Sequence, residues 1–257
     1  MRVSVCELRN NQKGLLDDWT RLEDHLKTAK SDLLLLPEMA FSPWLAETNV
    51  VDAIKWAESV KSHEAWFNRL SELSVGTIVG TAPVIQNSKR HNEGFVWTAA
   101  EGYQAVHQKV NLPDEAGWWE ATWYEKGPDS FKVAEVNGVR VGFLICSELW
   151  FNEHARTYMK QDVDILVTPR ATPAASVEKW ITAGKTAALV AGAFSLSSNF
   201  SPAEGSNIEW GGSGWIIEPD NSEVIARTSA RDPFQTVDID LEIARAAKSS
   251  YPRNVKE

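Results

Sequence analysis

The chain has 257 residues, 43% of them hydrophobic and 24% charged, which is enough apolar material for one sizeable core and too little bias for disorder. A formal charge of −9 repels polyanions, so nucleic acid is not an expected partner, and no apolar run reaches the length of a membrane span. Two cysteines rule out a disulfide framework as the organising principle. Met1 to Glu7 put a charge where an export signal would need an unbroken apolar segment, so the expected setting is the cytoplasm.

The first residues, Val3 to Leu8, read as a strand. Leu15, Trp19, Leu22 and Leu26 then step by four, three and four, the spacing of one helical face. Leu33 to Leu36 form a short continuous apolar run stopped by Pro37, as expected of a strand covered on both faces, and Glu38 follows directly. Helical spacing returns from Val51 to Ser74, with Ile54, Ala57, Trp66, Leu70 and Leu73 as expected core contacts. Thr77 to Gly80 is the next strand, and Phe95 to Trp97 with Tyr103 to His107 predict a hairpin around Glu101-Gly102.

A second hairpin is predicted at Asn137-Gly138, between Phe131 to Val136 and Val139 to Ile145. Beyond Cys146, Glu148 to Gln161 reads as a helix, Ile165 to Val167 as a strand, and Ser176 to Val190 as a helix opened by a Ser cap. The tail returns to strands at 193–197, 214–217, 223–226 and 236–239. No linker or fixed-period repeat divides the chain, so residues 1–257 are expected to form a single domain, a layered α/β sandwich.

Cys146 closes the run Val141 to Ile145 and precedes the polar stretch Ser147-Glu148-Leu149-Trp150, a strand-to-helix turn with a thiol at its tip. A helix start offers N–H groups and partial positive charge that favour thiolate, although a buried structural cysteine has the same placement. Cys6, inside a strand with no helix behind it, reads as core. Lys109 and Glu38 taken singly would be a surface lysine and a solvated turn carboxylate. All three sit at strand ends, and parallel strands collect their carboxyl ends on one edge, which would bring an acid, an ammonium and a thiol into one crevice.

The peptides Leu33-Leu34-Leu35-Leu36-Pro37-Glu38, His107-Gln108-Lys109-Val110-Asn111-Leu112 and Gly142-Phe143-Leu144-Ile145-Cys146 resemble, in order and spacing, the Glu-Lys-Cys signature of the nitrilase superfamily. Asn92, the segment Gly127 to Phe131 and the segment Gly212 to Pro219 resemble further landmarks. The resemblance implies an αββα subunit that pairs into an αββααββα homodimer, with no metal and no organic cofactor. It also implies a second glutamate, seven residues before the glycine that closes the loop after the lysine. Counting back from Gly127 gives Glu120, with Glu115 as the rival.

The roles implied are Glu38 as general base, Lys109 with the Ser147 N–H as oxyanion partners, Cys146 as nucleophile, and Glu120 holding Lys109 charged. The substrate would be a small amide or nitrile. Trp118 and Trp150 are expected in an aromatic wall of the acyl pocket, together with Trp44, Trp119 and Trp123, and Arg170 is the candidate for a substrate carboxylate. The stretch Cys146 to Glu153 departs from the Cys-Tyr-Asp-x-Arg-Phe-Pro-Glu pattern of many amidase-like members at Ser147, Glu148, Trp150 and Asn152. Glu148 leans toward nitrile chemistry and Ser147 toward amide, so amide hydrolysis leads, with nitrile or carbamoyl-amide hydrolysis and a silent binding protein as alternatives. His107 near Lys109 raises a Cys-His enzyme, but no protease signature surrounds Cys146.

Overall fold

The computed structural model describes residues 1–255. Strand β1 (Arg2–Arg9) sets the layering, because alternate side chains leave a strand on opposite faces. Val3 and Val5 enter one core, Cys6 and Leu8 another. Helix α1 (Gln12–Ala29) starts under Asn11, whose side chain accepts from Gly14 N, and buries the expected Leu15, Trp19, Leu22 and Leu26 against the second of these cores. Strand β2 (Leu33–Leu35) then pairs parallel to β1.

Helix α2 (Ala53–Phe67) is shorter than the periodicity predicts, and Leu70 lies beyond it in a separate 3-10 turn. Its buried face is also different. Trp56, Ser59 and His63 point inward, whereas Ile54 is 71% exposed and Ala57 is exposed. Polar bonds set this face: Ser59 Oγ lies 2.6 Å from Ser42 Oγ, and His63 Nε2 accepts from Phe41 N at 3.3 Å. An apolar stripe could not report them.

Strand β3 (Thr77–Gln86) runs parallel to β2 and turns through Asn87 and Ser88, both at positive φ, into the antiparallel β4 (Lys89–Thr98). Strand β5 (Gly102–Gln108) completes the expected hairpin with β4. One helical turn, α3 (Glu120–Trp123), interrupts the following loop. Strands β6 (Ala134–Val136) and β7 (Val139–Phe143) form the second hairpin across Asn137 (φ 52°) and Gly138 (φ 77°), although the strands are shorter than expected.

The predicted 148–161 helix is broken. A 3-10 turn covers Cys146–Trp150 and α4 (Asn152–Met159) restarts after Phe151. Strand β8 (Ile165–Pro169) leads to α5 (Val177–Ala191), where Ser176 makes no capping bond; its hydroxyl donates to Pro173 O and accepts from Trp180 Nε1. The tail follows the predicted strands as β9 (Phe194–Ser201), β10 (Trp215–Ile217), β11 (Val224–Arg227) and β12 (Phe234–Asp238), then adds a helix the sequence reading lacked, α6 (Leu241–Ala247).

The strand order is β5-β4-β3-β2-β1-β9-β8-β7-β6, with β12 beside β1 and β10 beside β9. β1 pairs with β2 through Val3 to Val5 and with β9 through Glu7 to Arg9, so one strand joins two half-sheets. Between the half-sheets lies an aliphatic layer in which Val5, Leu35 and Val79 meet Val141, Val167 and Leu196. The outer faces are covered by α1 on one side and by α4 and α5 on the other. The result is an αββα sandwich, as expected. Since β5 is antiparallel to β4 and β4 to β3, the carboxyl end of β5 joins those of β2 and β3 at one edge.

Candidate active site

Glu38 follows β2 across the turn made by Pro37. Its backbone N–H donates to Arg170 O at 3.2 Å, and Met39 N donates to Thr81 Oγ1 at 2.8 Å, so the chain is pinned on both sides of the carboxylate. Lys109 follows β5, with its N–H on Asn92 O and its C=O accepting from Gly127 N, both at 2.9 Å. Gly127 is required there. A Cβ would stand 2.4 Å from Gln108 Cβ and 2.6 Å from Gln108 O, so any side chain would push the loop off the strand end.

These placements converge on the lysine. Its Nζ lies 2.7 Å from Glu38 Oε1 and 2.5 Å from Glu120 Oε2, and all three side chains are fully buried. Asn92 Nδ2 donates to the same Glu38 oxygen at 2.8 Å, and the Tyr124 hydroxyl donates to Glu120 Oε2. One ammonium faces two carboxylates. Burial alone would strip the lysine's charge, but Glu120 and then Glu38 outweigh it and hold Lys109 above its ordinary value. Burial pushes Glu120 the other way for an acid, up to about 7, against the pull of Lys109 and with the push of Glu38. Among the described residues, Glu38 Oε2, Glu120 Oε1 and Asn92 Oδ1 are buried and find no hydrogen-bond partner.

Cys146 opens the 3-10 turn after β7 at φ 47°, a left-handed conformation that a residue with a Cβ adopts only under constraint. It is 3% exposed. Burial first and the charge of Glu38 next raise its thiol well above the ordinary range, while Lys109 and a bond from the Ala171 backbone lower it. The resting site therefore favours the neutral thiol. A cavity of about 770 Å³ between α1, α2 and the 40–48 loop is lined by none of Glu38, Lys109, Glu120 and Cys146, so the chemistry is carried by the buried set and not by that space.

A model described as carbon-nitrogen hydrolase matches residues 2–249. The chain belongs to the carbon-nitrogen hydrolase family. It is 26% identical over 152 residues to an N-carbamoylputrescine amidase of Arabidopsis thaliana, covering 58% of this chain and 50% of that protein, so it spans about half the length of that relative. It is 27% identical over 233 residues to an omega-amidase of Xenopus tropicalis, covering 86% of this chain and 81% of that one. A carbon-nitrogen hydrolase from Helicobacter pylori G27 is similar in fold, with a TM-score of 0.88 and 19% identity across 99% of this chain and 94% of the other.

Within this family frame, the remaining expected residues fare unevenly. Glu115 is exposed and exchanges backbone bonds with Trp118, whereas Glu120 is the carboxylate brought to Lys109. The Ser147 hydroxyl donates to Asn111 O at 2.5 Å, tying the nucleophile turn to the loop after Lys109. Trp118 is half-buried, donates to Ala171 O at 3.1 Å and joins an aromatic cluster with Met39, Trp44, Trp123 and Trp210 beside the site.

Trp150 does not join that wall. It is 47% exposed and packs on Trp180, at 4.8 Å between ring centroids. Arg170 is also corrected. Its guanidinium is engaged by Ser197 Oγ, Thr172 Oγ1 and Ser213 O at 2.7–2.8 Å and lies 4.2 Å from the centre of the Trp215 ring, a framework role that leaves no open fork for a carboxylate. His107 is bound to Glu148, not to the thiol. Among the described residues no group of three or more metal-ligating side chains occurs, and no helix is long and apolar enough to cross a membrane.

Sequence reasoning gave no role to Tyr124 or Asn92. Tyr124 stands four residues after Glu120, the spacing that puts two side chains on one helical face, and this was its available signal. Asn92 was visible only as a landmark; its double hold on Glu38 and Lys109 needs the β3–β4 pairing.

Proposed function

We propose that this chain is an amidohydrolase that cleaves the carbon–nitrogen bond of a small carboxamide through Cys146. The observation that carries this reading is the buried Lys109 ammonium between two carboxylates, each with an oxygen left without a partner. Glu38 Oε2, Glu120 Oε1 and Asn92 Oδ1 are acceptors, so they suit a ligand that brings N–H donors. A carboxamide NH2 brings two. A nitrile nitrogen brings none, and Glu148, the residue that leaned toward nitriles, is taken up by backbone amides and His107.

In this account Glu38 takes the thiol proton as the sulfur bonds to the carbonyl carbon, and the carbonyl π electrons move to oxygen. Lys109 and the Ser147 N–H stabilise that oxyanion. The intermediate collapses with the C–N bond breaking, Glu38 returns its proton to the nitrogen, and ammonia leaves. A thioester remains on Cys146. Water, deprotonated by Glu38, adds to it and releases the acid and the thiol. Glu120 keeps Lys109 charged and orients the amide nitrogen.

A panel of small carboxamides, nitriles and carbamoyl amides tests the reading through ammonia and carbon dioxide release. Ammonia from carboxamides without carbon dioxide, abolished by Cys146→Ala, is expected. Turnover of nitriles alone, stoichiometric carbon dioxide, or ammonia release that persists in Cys146→Ala contradicts it. We further propose that the acyl pocket is apolar, because the cluster beside the site is built from Met39, Trp44, Trp118 and Trp123. A homodimer remains the expectation from the family resemblance, and a reducing cytoplasm the expectation from the low cysteine count.

A further inference from the structure

We propose that Glu148 is a positioning residue of this site, whose carboxylate, braced by His107, fixes the separation between the loop carrying Lys109 and the turn carrying Cys146. Glu148 is fully buried two residues after the nucleophile. One of its oxygens accepts from Val110 N at 2.7 Å, the amide directly after Lys109. The other accepts from Ile145 N at 2.7 Å, the amide directly before Cys146. His107 Nε2 lies 3.0 Å from both oxygens, and against an ionised carboxylate it can only donate. His107 itself precedes Lys109 by two residues on β5. The carboxylate therefore grips the lysine's strand end from both sides and the nucleophile turn from one.

A carboxylate suits the role where its amide does not. It offers acceptor sites on two oxygens, and here every direction toward it is a donor. Glutamine would turn its NH2 against either Val110 N or Ile145 N, a buried donor facing a donor, and would release one of the two loops. The second tie between the loops, Ser147 Oγ to Asn111 O and His154 Nε2 to Asn111 Oδ1 at 2.8 Å, stays in place. Glu148→Gln should thus loosen the distance between Lys109 and Cys146 without unfolding the chain. A displacement near 1 Å between reacting groups costs on the order of a hundredfold in rate.

The kinetic part of this inference rests on the amidohydrolase reading above. With a carboxamide that the wild type hydrolyses, Glu148→Gln is expected to lower kcat about a hundredfold with KM within about threefold. His107→Gln keeps an N–H donor toward the carboxylate and should lose less kcat than His107→Leu, which keeps none. Wild-type kcat in Glu148→Gln, or a loss seen only in KM, overturns the proposal. If Glu148→Gln does not fold, the His107 pair decides: equal kcat in His107→Gln and His107→Leu overturns it. If the wild type hydrolyses no carboxamide, the amidohydrolase reading has failed on its own. The positioning role is then read from iodoacetamide alkylation of Cys146 by intact mass, where Glu148→Gln should react about tenfold more slowly because Lys109 no longer supports the thiolate. An unchanged alkylation rate overturns it.

Discussion

Lys109 and Glu120 stand eleven residues apart in the chain and 2.5 Å apart in space, with no exposed surface on either side chain. With Glu38 they make a set of one cation and two carboxylates, so the two ways of breaking it are unequal. Lys109→Met leaves two buried carboxylates facing each other and should cost about 3–5 kcal/mol. Glu120→Gln leaves one cation with one anion and should cost less stability than Lys109→Met, while kcat falls roughly a hundredfold as Lys109 loses its second anchor. Thermal unfolding beside steady-state kinetics separates the two. Equal destabilisation by both variants contradicts the charge count.

The same set predicts a pH dependence. Glu120 is raised in the folded state, by burial first, to about 7, against roughly 4.3 for an exposed glutamate. Its neutral form is the one the fold favours. Its contribution to stability is therefore complete below the unfolded value and is lost as pH rises through about 7. Glutamine does not titrate, so urea unfolding at a series of pH values should show Glu120→Gln gaining on the wild type between about pH 4.5 and 8. A constant difference across that window, or a gain by the wild type, argues against the raised carboxyl.

Gly127→Ala tests how tightly the loop is closed on the lysine. The added methyl meets Gln108 within 2.4–2.6 Å, including its backbone oxygen, so the loop must shift at a cost of about 1–3 kcal/mol. Because the Gly127 N–H holds Lys109 O, the same shift should lower kcat by more than tenfold. Full activity with a lowered Tm would show that the closure serves stability alone.

What the sequence could reveal followed its apolar patterns. The Leu33 to Leu36 run, the α1 stripe and the Asn137-Gly138 turn were legible because burial or turn chemistry is written in residue type. Helix α2 misled because its inner face includes Ser59 and His63, whose partners lie on a distant loop. Strand β4 begins Lys89-Arg90-His91-Asn92-Glu93 and looks like a loop, yet pairing with β3 buries Asn92 and turns it to Glu38. Glu38, Lys109 and Cys146 were legible as strand-end residues, whereas Glu148 and Tyr124 act through contacts that no local pattern encodes.

Arg170→Met should separate framework from recognition. Burial lowers the guanidinium to about 9, and its hydrogen bonds run to Ser197, Thr172, Ser213 and Gly212. Removing it strands those buried acceptors, at a cost of about 1–3 kcal/mol for each group left unsatisfied. A stability loss is expected, with KM for carboxylate-bearing amides changing no more than KM for neutral ones. A selective rise in KM for the carboxylate-bearing amides would restore Arg170 to the substrate.

The central claim is a covalent bond between Cys146 and the substrate's acyl group. Acid-quenched intact-mass measurement during turnover of a small carboxamide, followed by peptide mapping, reads it directly. The expected result is an added mass equal to the acyl group, located on Cys146, absent from Cys146→Ala and also from Glu38→Gln, where no base takes the thiol proton. Ammonia release without any adduct on Cys146 in the wild type, or an adduct mapped to another residue, would contradict the account.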